Sequence, residues 1–596
     1  MNAVRRAMRA VFPPPRIAPD GRAEWPSRAP YVLASMGGTI GFGNLLRFPS
    51  QVFNDNGIQW FIPYLMTICL LAIPVLILEV AIGQAYRSGC VIGYNGLDRR
   101  FTGVGFGMVC VGYAVAIYYI SVLSWVIVYF RNSFRSADSF FPTDGKSTGI
   151  FQSCDVSGEL IGLCLFSWFI VWICLYKGIA ITARVVYITI VLLIILTIVL
   201  VGRGASLPNA GRGIKLYFGE FNADELAAGK IGQAATSQVF YSTGVGFGCY
   251  TAHASYNSKF ANAVEYVMMI CSANALFESF AAFAVFGVVG NLGMTPESQQ
   301  EAQMPGAPFL AVLFFLTFFL LGVSSSFAPL DAMITSMCDT HWGWKFKHSS
   351  IATVITIISA LLSLFYSAGF GYQATNAVDA WISNISLIFV VWTECVCATS
   401  FYRFVDIIVS DKIGADVGFG VCIAGTIISV LIAKEPNSTA PRFWGRNKFL
   451  NRDWWVGMYF GNQLARDLNY VVCVGNQWRL PVFWAPILRY FAAPVLSIIF
   501  CFAYPTFYAT RGDPLQIFAF MVAHLIVLVV LVGFIIPKSL NIFVPPERRD
   551  EGNRQYAPQT LLGKDDTNIV GGIAPGLEEE AGTSPYSESE KIDRKK

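Results

Sequence analysis

The stretch Ala34 to Pro49, "ASMGGTIGFGNLLRFP", carries Gly37, Gly38, Gly41 and Gly43 and follows them at once with Asn44 and Arg47. It lies inside an apolar run of membrane-entering length, and two kinds of chemistry fit it. Gly37 and Gly41 have GxxxG spacing, which lets two helices pack closely. That leaves Asn44 and Arg47 unexplained, because polar and charged groups within a bilayer are costly unless they face a protein cavity. Snorkelling near a helix end would account for Arg47 alone. The other reading is a helix that unwinds over residues 38–43. Unwinding strips carbonyl oxygens of their helical donors, which hydrocarbon tolerates only where they line a polar site. Bare carbonyls suit a hard cation such as sodium, and the exposed helix end suits an anionic substrate group. Glycine permits the unusual dihedrals and the close approach of a ligand. Glu79, Glu278 and Glu394 place further acids inside other apolar runs.

The elements that position these groups are membrane helices. The chain is 55% hydrophobic and 13% charged, against about 25% charged in soluble proteins. Uncharged stretches long enough to cross hydrocarbon recur, and about twelve crossings are expected, with an awkward apolar insertion at about 412–470. Three regions are predicted: a basic arm over 1–28, a membrane domain over 29–537, and a polar, disordered tail over 538–596. Arg5, Arg6, Arg9, Arg16, Arg22 and Arg28 precede the first crossing, and alternate loops carry Arg87, Lys177, Lys259, Lys345 and Arg403. By the positive-inside rule both termini are cytoplasmic. Ile40-Gly41-Phe42-Gly43 recurs as Val245-Gly246-Phe247-Gly248, again in mid-crossing, which points to an inverted-repeat transporter with paired discontinuous helices. The fourteen Cys form no CxxC pair and the four His have no metal-ligand spacing. With no nucleophile–base pair and no phosphate loop, an enzyme is not expected. The net charge of +4 reports orientation and requires no nucleic acid.

"RAEWPSRAPYVLASMGGTIGFGNLLRFPSQVFNDNGIQWFIPY" resembles the first-helix region of the neurotransmitter:sodium symporter family. The likeness continues through "PVLILEVAIGQ", "AVAIYYISVLSW", "QVFYSTGVGFGCYTAHASYN", "ANALFESF", "LLGVSSSF" and "AVDAWISN", and resumes at "LPVFWAPILRY". It implies an all-α polytopic membrane protein of LeuT-like fold, a five-plus-five inverted repeat with discontinuous helices 1 and 6. The repeats would span about 29–202 and 231–405, with the last two helices at about 484–537.

The resemblance also assigns roles. One sodium ion would be held by the Thr39 carbonyl, Asn44, Ser242 and Asn274. A second would use the carbonyls of Gly37, Ile40 and Leu321 and the hydroxyls of Ser324 and Ser325, oxygen ligands of the kind hard cations take. Gly41 stands where amine-transporting members carry Asp, so the implied substrate is an amino acid or related carboxylate-bearing small molecule. Thr39, Gly41, Gly43, Val115, Tyr119, Tyr241, Gly244, Phe247, Ser325 and Pro329 would form the substrate pocket, with Tyr119 binding the carboxylate.

Glu278, with Tyr64 and Gln238, stands where chloride-dependent relatives bind chloride, so chloride is not expected as a co-ion. An outer gate would comprise Arg47, Asp379, Tyr119 and Phe247, and an inner gate Arg22, Trp25, Asp339 and Tyr256. The implied activity is sodium-coupled symport by alternating access in the plasma membrane. A non-transporting amino-acid sensor on the same fold is the alternative.

Overall fold

The computed structural model describes residues 16–17, 22–54, 57–134, 158–219, 221, 229–258, 261–292, 307–402, 463–472 and 478–549. Ten helices among them are long and apolar enough to cross a membrane. Two further crossings are broken in the middle. The first consists of α1 (Arg28–Thr39) and α2 (Phe48–Asn54), joined by a π-wound turn at Gly43–Arg47. Next come α3 (Ile58–Tyr86), α4 (Arg99–Asn132), α5 (Gly158–Leu175) and α6 (Ile179–Ala205). The second broken crossing is α7 (Gly229–Thr243) followed by α8 (Cys249–Ala254). After it run α9 (Ala263–Leu292), α10 (Ala307–Cys338), α11 (His348–Ser367) and α12 (Gly371–Ser400). The chain ends its membrane part with α13 (Trp484–Thr510) and α14 (Pro514–Ile535). Each broken crossing thus opens one run of five, as the expected inverted repeat requires.

Local sequence explains several irregularities. Proline lacks an N–H and clashes with the carbonyl four residues back. In α3 a π turn at Ile68–Ala72 directly precedes Pro74, and in α13 one at Leu488–Ala492 precedes Pro494. Such π turns relieve the ladder where it must skip a bond.

Large apolar side chains point outward on the peripheral helices: Ile188 and Ile198 on α6, Leu361 on α11 and Leu525 on α14 are all more than half exposed. Apolar surface on that scale is uncommon against water and fits lipid. The interior is the opposite, with Asn44, Glu79, Asn274, Glu278 and Glu394 each 0% exposed. The membrane acids therefore face protein.

One expectation about the C-terminal end needs adjustment. Residues 538–549, assigned to the tail, pack on the helices. Phe543 stacks on Phe106 at 4.6 Å, and the Arg548 guanidinium donates to the Tyr86 carbonyl at 3.2 Å. Apolar residues at 540, 543 and 544 account for it. Of the insertion at 412–470, the described residues begin at the helix Gln463–Val472. There Asp467 accepts a hydrogen bond from the Tyr402 hydroxyl at 3.0 Å. The rest of the insertion, and residues 550–596, lie outside the described residues.

Candidate functional site

Helix α1 stops because two amides that would extend it are captured by side chains. Continuing the helix would require the Gly41 N–H to donate to the Gly37 carbonyl and the Phe42 N–H to the Gly38 carbonyl. The Gly41 N–H donates instead to Asn44 Oδ1 at 2.8 Å, and the Phe42 N–H to the Tyr119 hydroxyl at 2.9 Å. Ile40 takes an extended conformation, φ −79° and ψ 96°. The carbonyls of Gly37 and Gly38 lose their helical donors. The break is shorter than the expected 38–43. Gly38 stays helical, and the chain rewinds from Gly43 once Asn44 has closed the turn.

The second break is built from positive dihedrals. Gly244, Gly246 and Gly248 have φ of 71°, 81° and 73°, a region that side-chain-bearing residues rarely adopt. The freed Gly246 N–H donates to Glu79 Oε1 at 2.7 Å, so Glu79 braces the break from α3.

The two breaks meet α4 and α10 around a cavity of about 40 Å³. Thr39, Gly41, Gly43, Val115, Tyr119, Tyr241, Phe247, Ser325 and Pro329 line it, together with Phe42, Asn44, Ser242, Cys249 and Ser326. Gly244 is not among the lining residues; its positive φ uses it in the turn itself. The Tyr119 hydroxyl lies 2.5 Å from Ser325 Oγ, and its ring stacks on Phe42 at 4.5 Å. A Cβ at residue 41 would lie 2.8 Å from that hydroxyl and 3.1 Å from Ser325 Cβ, so a side chain at Gly41 would displace the Tyr119 hydroxyl and crowd Ser325.

The three side chains assigned to the first sodium ion form one chain of contacts. Asn44 Nδ2 donates to Asn274 Oδ1 at 2.7 Å, and Asn274 Nδ2 donates to Ser242 Oγ at 3.0 Å. Three helices contribute neutral oxygens at one buried point. For the second ion, the hydroxyls of Ser324 and Ser325 both donate to the Leu321 carbonyl, at 3.1 and 2.6 Å. Pro329, inside α10, has no N–H to give the Ser325 carbonyl. Another oxygen without its helical donor thus sits beside the serine pair, a consequence of Pro329 that the sequence alone does not reveal.

Glu278 lies one turn beyond Asn274. Its Oε2 accepts from the Tyr64 hydroxyl at 2.6 Å and its Oε1 from Gln238 Nε2 at 3.3 Å. Gln238 Nε2 also reaches the Gly43 carbonyl at 3.2 Å, which ties the acid to the first break.

Charged pairs flank the cavity on both sides. Arg47 Nη1 is 3.6 Å from Asp379 Oδ2, while Arg47 Nη2 donates to Ser237 Oγ at 2.9 Å. The Tyr118 hydroxyl donates to Asp379 Oδ1 at 2.7 Å. The expected lid of Tyr119 and Phe247 is divided between two ring pairs, since Tyr119 stacks on Phe42 and Phe247 meets Tyr241 edge-on at 6.3 Å. Gly322 makes the first pair possible, because a Cβ there would lie 2.5 Å from the Phe42 ring.

On the opposite side, Arg22 grips Asp339 through both nitrogens at 2.8 and 3.3 Å and also donates to Ser255 Oγ at 2.8 Å. Its guanidinium lies 4.8 Å above the Tyr256 ring. Trp25, 7% exposed, donates its indole N–H to the His253 carbonyl at 2.9 Å.

The profile of the sodium:neurotransmitter symporter family matches residues 22–142, 139–301 and 296–434. This chain belongs to that family. The symporter is 27% identical over 465 residues to the mouse sodium- and chloride-dependent GABA transporter 2, which covers 67% of this chain and 77% of the relative. The human counterpart gives 27% over 456 residues, 66% and 75%. The Drosophila melanogaster sodium-dependent serotonin transporter gives 26% over 438 residues, 64% and 70%. The symporter is therefore a multi-pass membrane transporter of a sodium-dependent family and not an enzyme.

Three contributors are not legible in the sequence: Tyr118, Phe42 and Ser237. Adjacent tyrosines on a helix diverge by about 100°, so "YY" at 118–119 is the one sign that the second ring serves another site.

Proposed function

We propose that the symporter carries an amino acid or a related carboxylate-bearing small molecule together with sodium, without needing chloride. The observation that carries the first half is the crowded wall at Gly41. A side-chain carboxylate at that position would have to displace the Tyr119 hydroxyl and crowd Ser325, which favours an anionic group beside the first sodium that arrives with the substrate. The N-terminal end of the rewound segment Gly43–Arg47 and the Tyr119 hydroxyl are the groups to receive it. GABA, which the mouse and human relatives carry by name, has such a carboxylate; serotonin has none.

The second half rests on Glu278. A chloride ion beside the sodium site supplies one negative charge, and a buried carboxylate one turn from Asn274 supplies the same charge covalently. The named chloride dependence of the GABA relatives argues the other way, so this reading stands on the residue itself. Ser242, Asn274 and Asn44 would hold the first sodium, with the Thr39 carbonyl. The carbonyls of Gly37, Ile40 and Leu321 would hold a second, with the hydroxyls of Ser324 and Ser325. The Arg47–Asp379 and Arg22–Asp339 pairs would open in alternation, the Arg22 side facing the cytoplasm of a cell whose plasma membrane holds the protein.

A labelled panel of α- and ω-amino acids, with serotonin as the amine control, tests this in proteoliposomes under an imposed sodium gradient. Uptake of a carboxylate-bearing compound is expected, unchanged when gluconate replaces chloride. Serotonin uptake alone would refute the substrate class, and a steep loss in gluconate would refute the role of Glu278. Sodium-dependent binding without accumulation would mark a sensor.

A further inference from the structure

Behind Trp25, on the side that carries the Arg22–Asp339 pair, two more titratable groups are buried face to face. His253 of α8 has Nε2 3.5 Å from Asp331 Oδ2 of α10, with both side chains 3% exposed. His253 Nε2 and Asp331 Oδ1 are without a hydrogen-bond partner among the described residues. Neither group has a part in the substrate cavity, the sodium sites or the proposed transport cycle.

The surroundings fix the local charge. From the arm, Arg22 acts on Asp331 across space while its nitrogens bind Asp339 and Ser255. From the end of α10, the Cys338 thiol and the adjoining Asp339 face the same region; from just beyond α8, so does Tyr256. The acid of α3, Glu79, is turned to the Gly246 N–H, and Cys90 of the Cys90–Leu97 helix is turned to the Gly248 carbonyl. The ring of Trp25 covers His253 edge-on at 6.0 Å. Arg22 thus balances one of two carboxylates. One proton more would make the cluster neutral.

We propose that His253 and Asp331 form a proton-binding site, separate from the substrate and sodium sites, whose occupation holds the Arg22-side gate closed. With a proton between Nε2 and Oδ2 the pair is a neutral hydrogen-bonded unit, whichever atom carries the proton. Without it, a carboxylate stays buried against an imidazole edge, and a buried charge lacking its partner is strongly destabilising. The two groups belong to different parts of the machine. His253 rides on the short half of a broken crossing, whereas Asp331 is on α10, a continuous helix packed along α4. Alternating access moves broken-helix elements against the rest, so opening this side parts the pair and hydrates both members. The proton then binds the closed form better than the open form, and by linkage acid closes the gate and alkali releases it. It enters from and returns to water on the same side, so the site moves no net proton across the membrane.

Hydrogen exchange of the peptide covering residues 249–258 tests this on the purified full-length protein in nanodiscs without sodium, between about pH 5.5 and 8.5, corrected for intrinsic exchange. The wild-type opening constant is expected to rise with pH, approaching about tenfold per unit in the titrating window. Asp331→Asn should abolish the rise and leave at most the opposite trend of a lone imidazole that is protonated on opening, His253→Gln should displace the titrating window, and Asp331→Glu should keep the rise. A flat wild-type profile, or a wild-type slope surviving in Asp331→Asn, overturns the proposal. Should the neutral variants not fold, the wild-type and Asp331→Glu profiles still decide. The readout uses neither substrate nor chloride, so it stands apart from the proposed transport activity.

Discussion

At the residue scale, Asn44 and Tyr119 show how a single side chain can end a helix and shape a site together. Each takes an amide that would have continued α1, and each is bonded in turn to a further helix, Asn44 to Asn274 of α9 and Tyr119 to Ser325 of α10. Asn44→Ala is expected to abolish sodium-dependent stabilisation, because the Gly41 N–H returns to Gly37 and the Asn274 oxygen loses its donor. A thermal melt in sodium against choline checks it. Gly41→Asp meets the Tyr119 hydroxyl at 2.8 Å, and uptake of the carboxylate substrate should fall by about 100-fold, about 3 kcal/mol at the transition state. Unchanged uptake would mean that the ligand's carboxylate does not lie at residue 41. Glu278→Ser is expected to fold and to acquire a requirement for chloride, read as uptake in chloride against gluconate. These positions are legible in the sequence because clustered glycines and polar groups weaken an apolar helix unless they line a site. Phe42 and Tyr118 are not, since an aromatic residue in a membrane helix fits any apolar face, and only packing shows that Phe42 fixes Tyr119.

At the element scale, the two broken crossings are stabilised differently, and this makes them separable. The first break rests on side chains that catch amides; the second rests on three glycines with positive φ and on one acid. Gly248→Ala places a Cβ 2.5 Å from Cys90 Sγ at a φ of 73°. It should lower stability by about 1–3 kcal/mol, seen as a depressed melting temperature in detergent. Glu79→Gln keeps the shape but offers the Gly246 N–H only an amide oxygen, and a milder loss is expected from the same assay. If Glu79→Gln proved the more damaging, the charge and not the dihedrals would hold the break. The repeated Gly-x-Gly marks both interruptions in the sequence, yet composition overstates the length of the first. Glycine content suggests unwinding over 38–43, whereas its extent depends on where Asn44 closes back on Gly41, a tertiary choice that local propensity does not encode. The packed segment 538–549 is hidden for a similar reason, because its few apolar residues look ordinary until Phe106 and Tyr86 are brought beneath them.

At the scale of the whole molecule, the structure has a charged pair engaged on each side of a small central cavity, and each pair is partly exposed. Such pairs contribute only about 0–1 kcal/mol, which suits contacts that must separate in every cycle. The two are not equal. Arg22 makes three hydrogen bonds to Asp339 and Ser255, and the Gly89 N–H also donates to Asp339 Oδ2 at 2.7 Å. Arg47 and Asp379 are 3.6 Å apart and are held mainly by Ser237 and Tyr118. Opening on the Arg47 side therefore disrupts less, and the resting molecule should favour it. Cys249 offers a native reporter, since it lines the cavity and is a free, buried thiol. A membrane-impermeant thiol reagent applied to one face of oriented vesicles, with labelling of the Cys249 peptide read by mass spectrometry, should reach it mainly from the Arg47 face in wild type. Arg22→Ala should raise labelling from the opposite face several-fold, because it removes the stronger lock. Arg47→Ala should change the distribution little, because that gate is already the weaker one. Sodium bound at a hundredfold excess over its dissociation constant contributes about 2.7 kcal/mol to whichever form holds it. Since Asn44, Ser242 and Asn274 meet only when the Gly43–Arg47 turn, α7 and α9 are drawn together, sodium should suppress labelling from the Arg22 face in both wild type and Arg22→Ala. Labelling from that face that rose with sodium would mean that the ion stabilises the open arm-side form, and the order of gate movements argued from these contacts would have to be reversed.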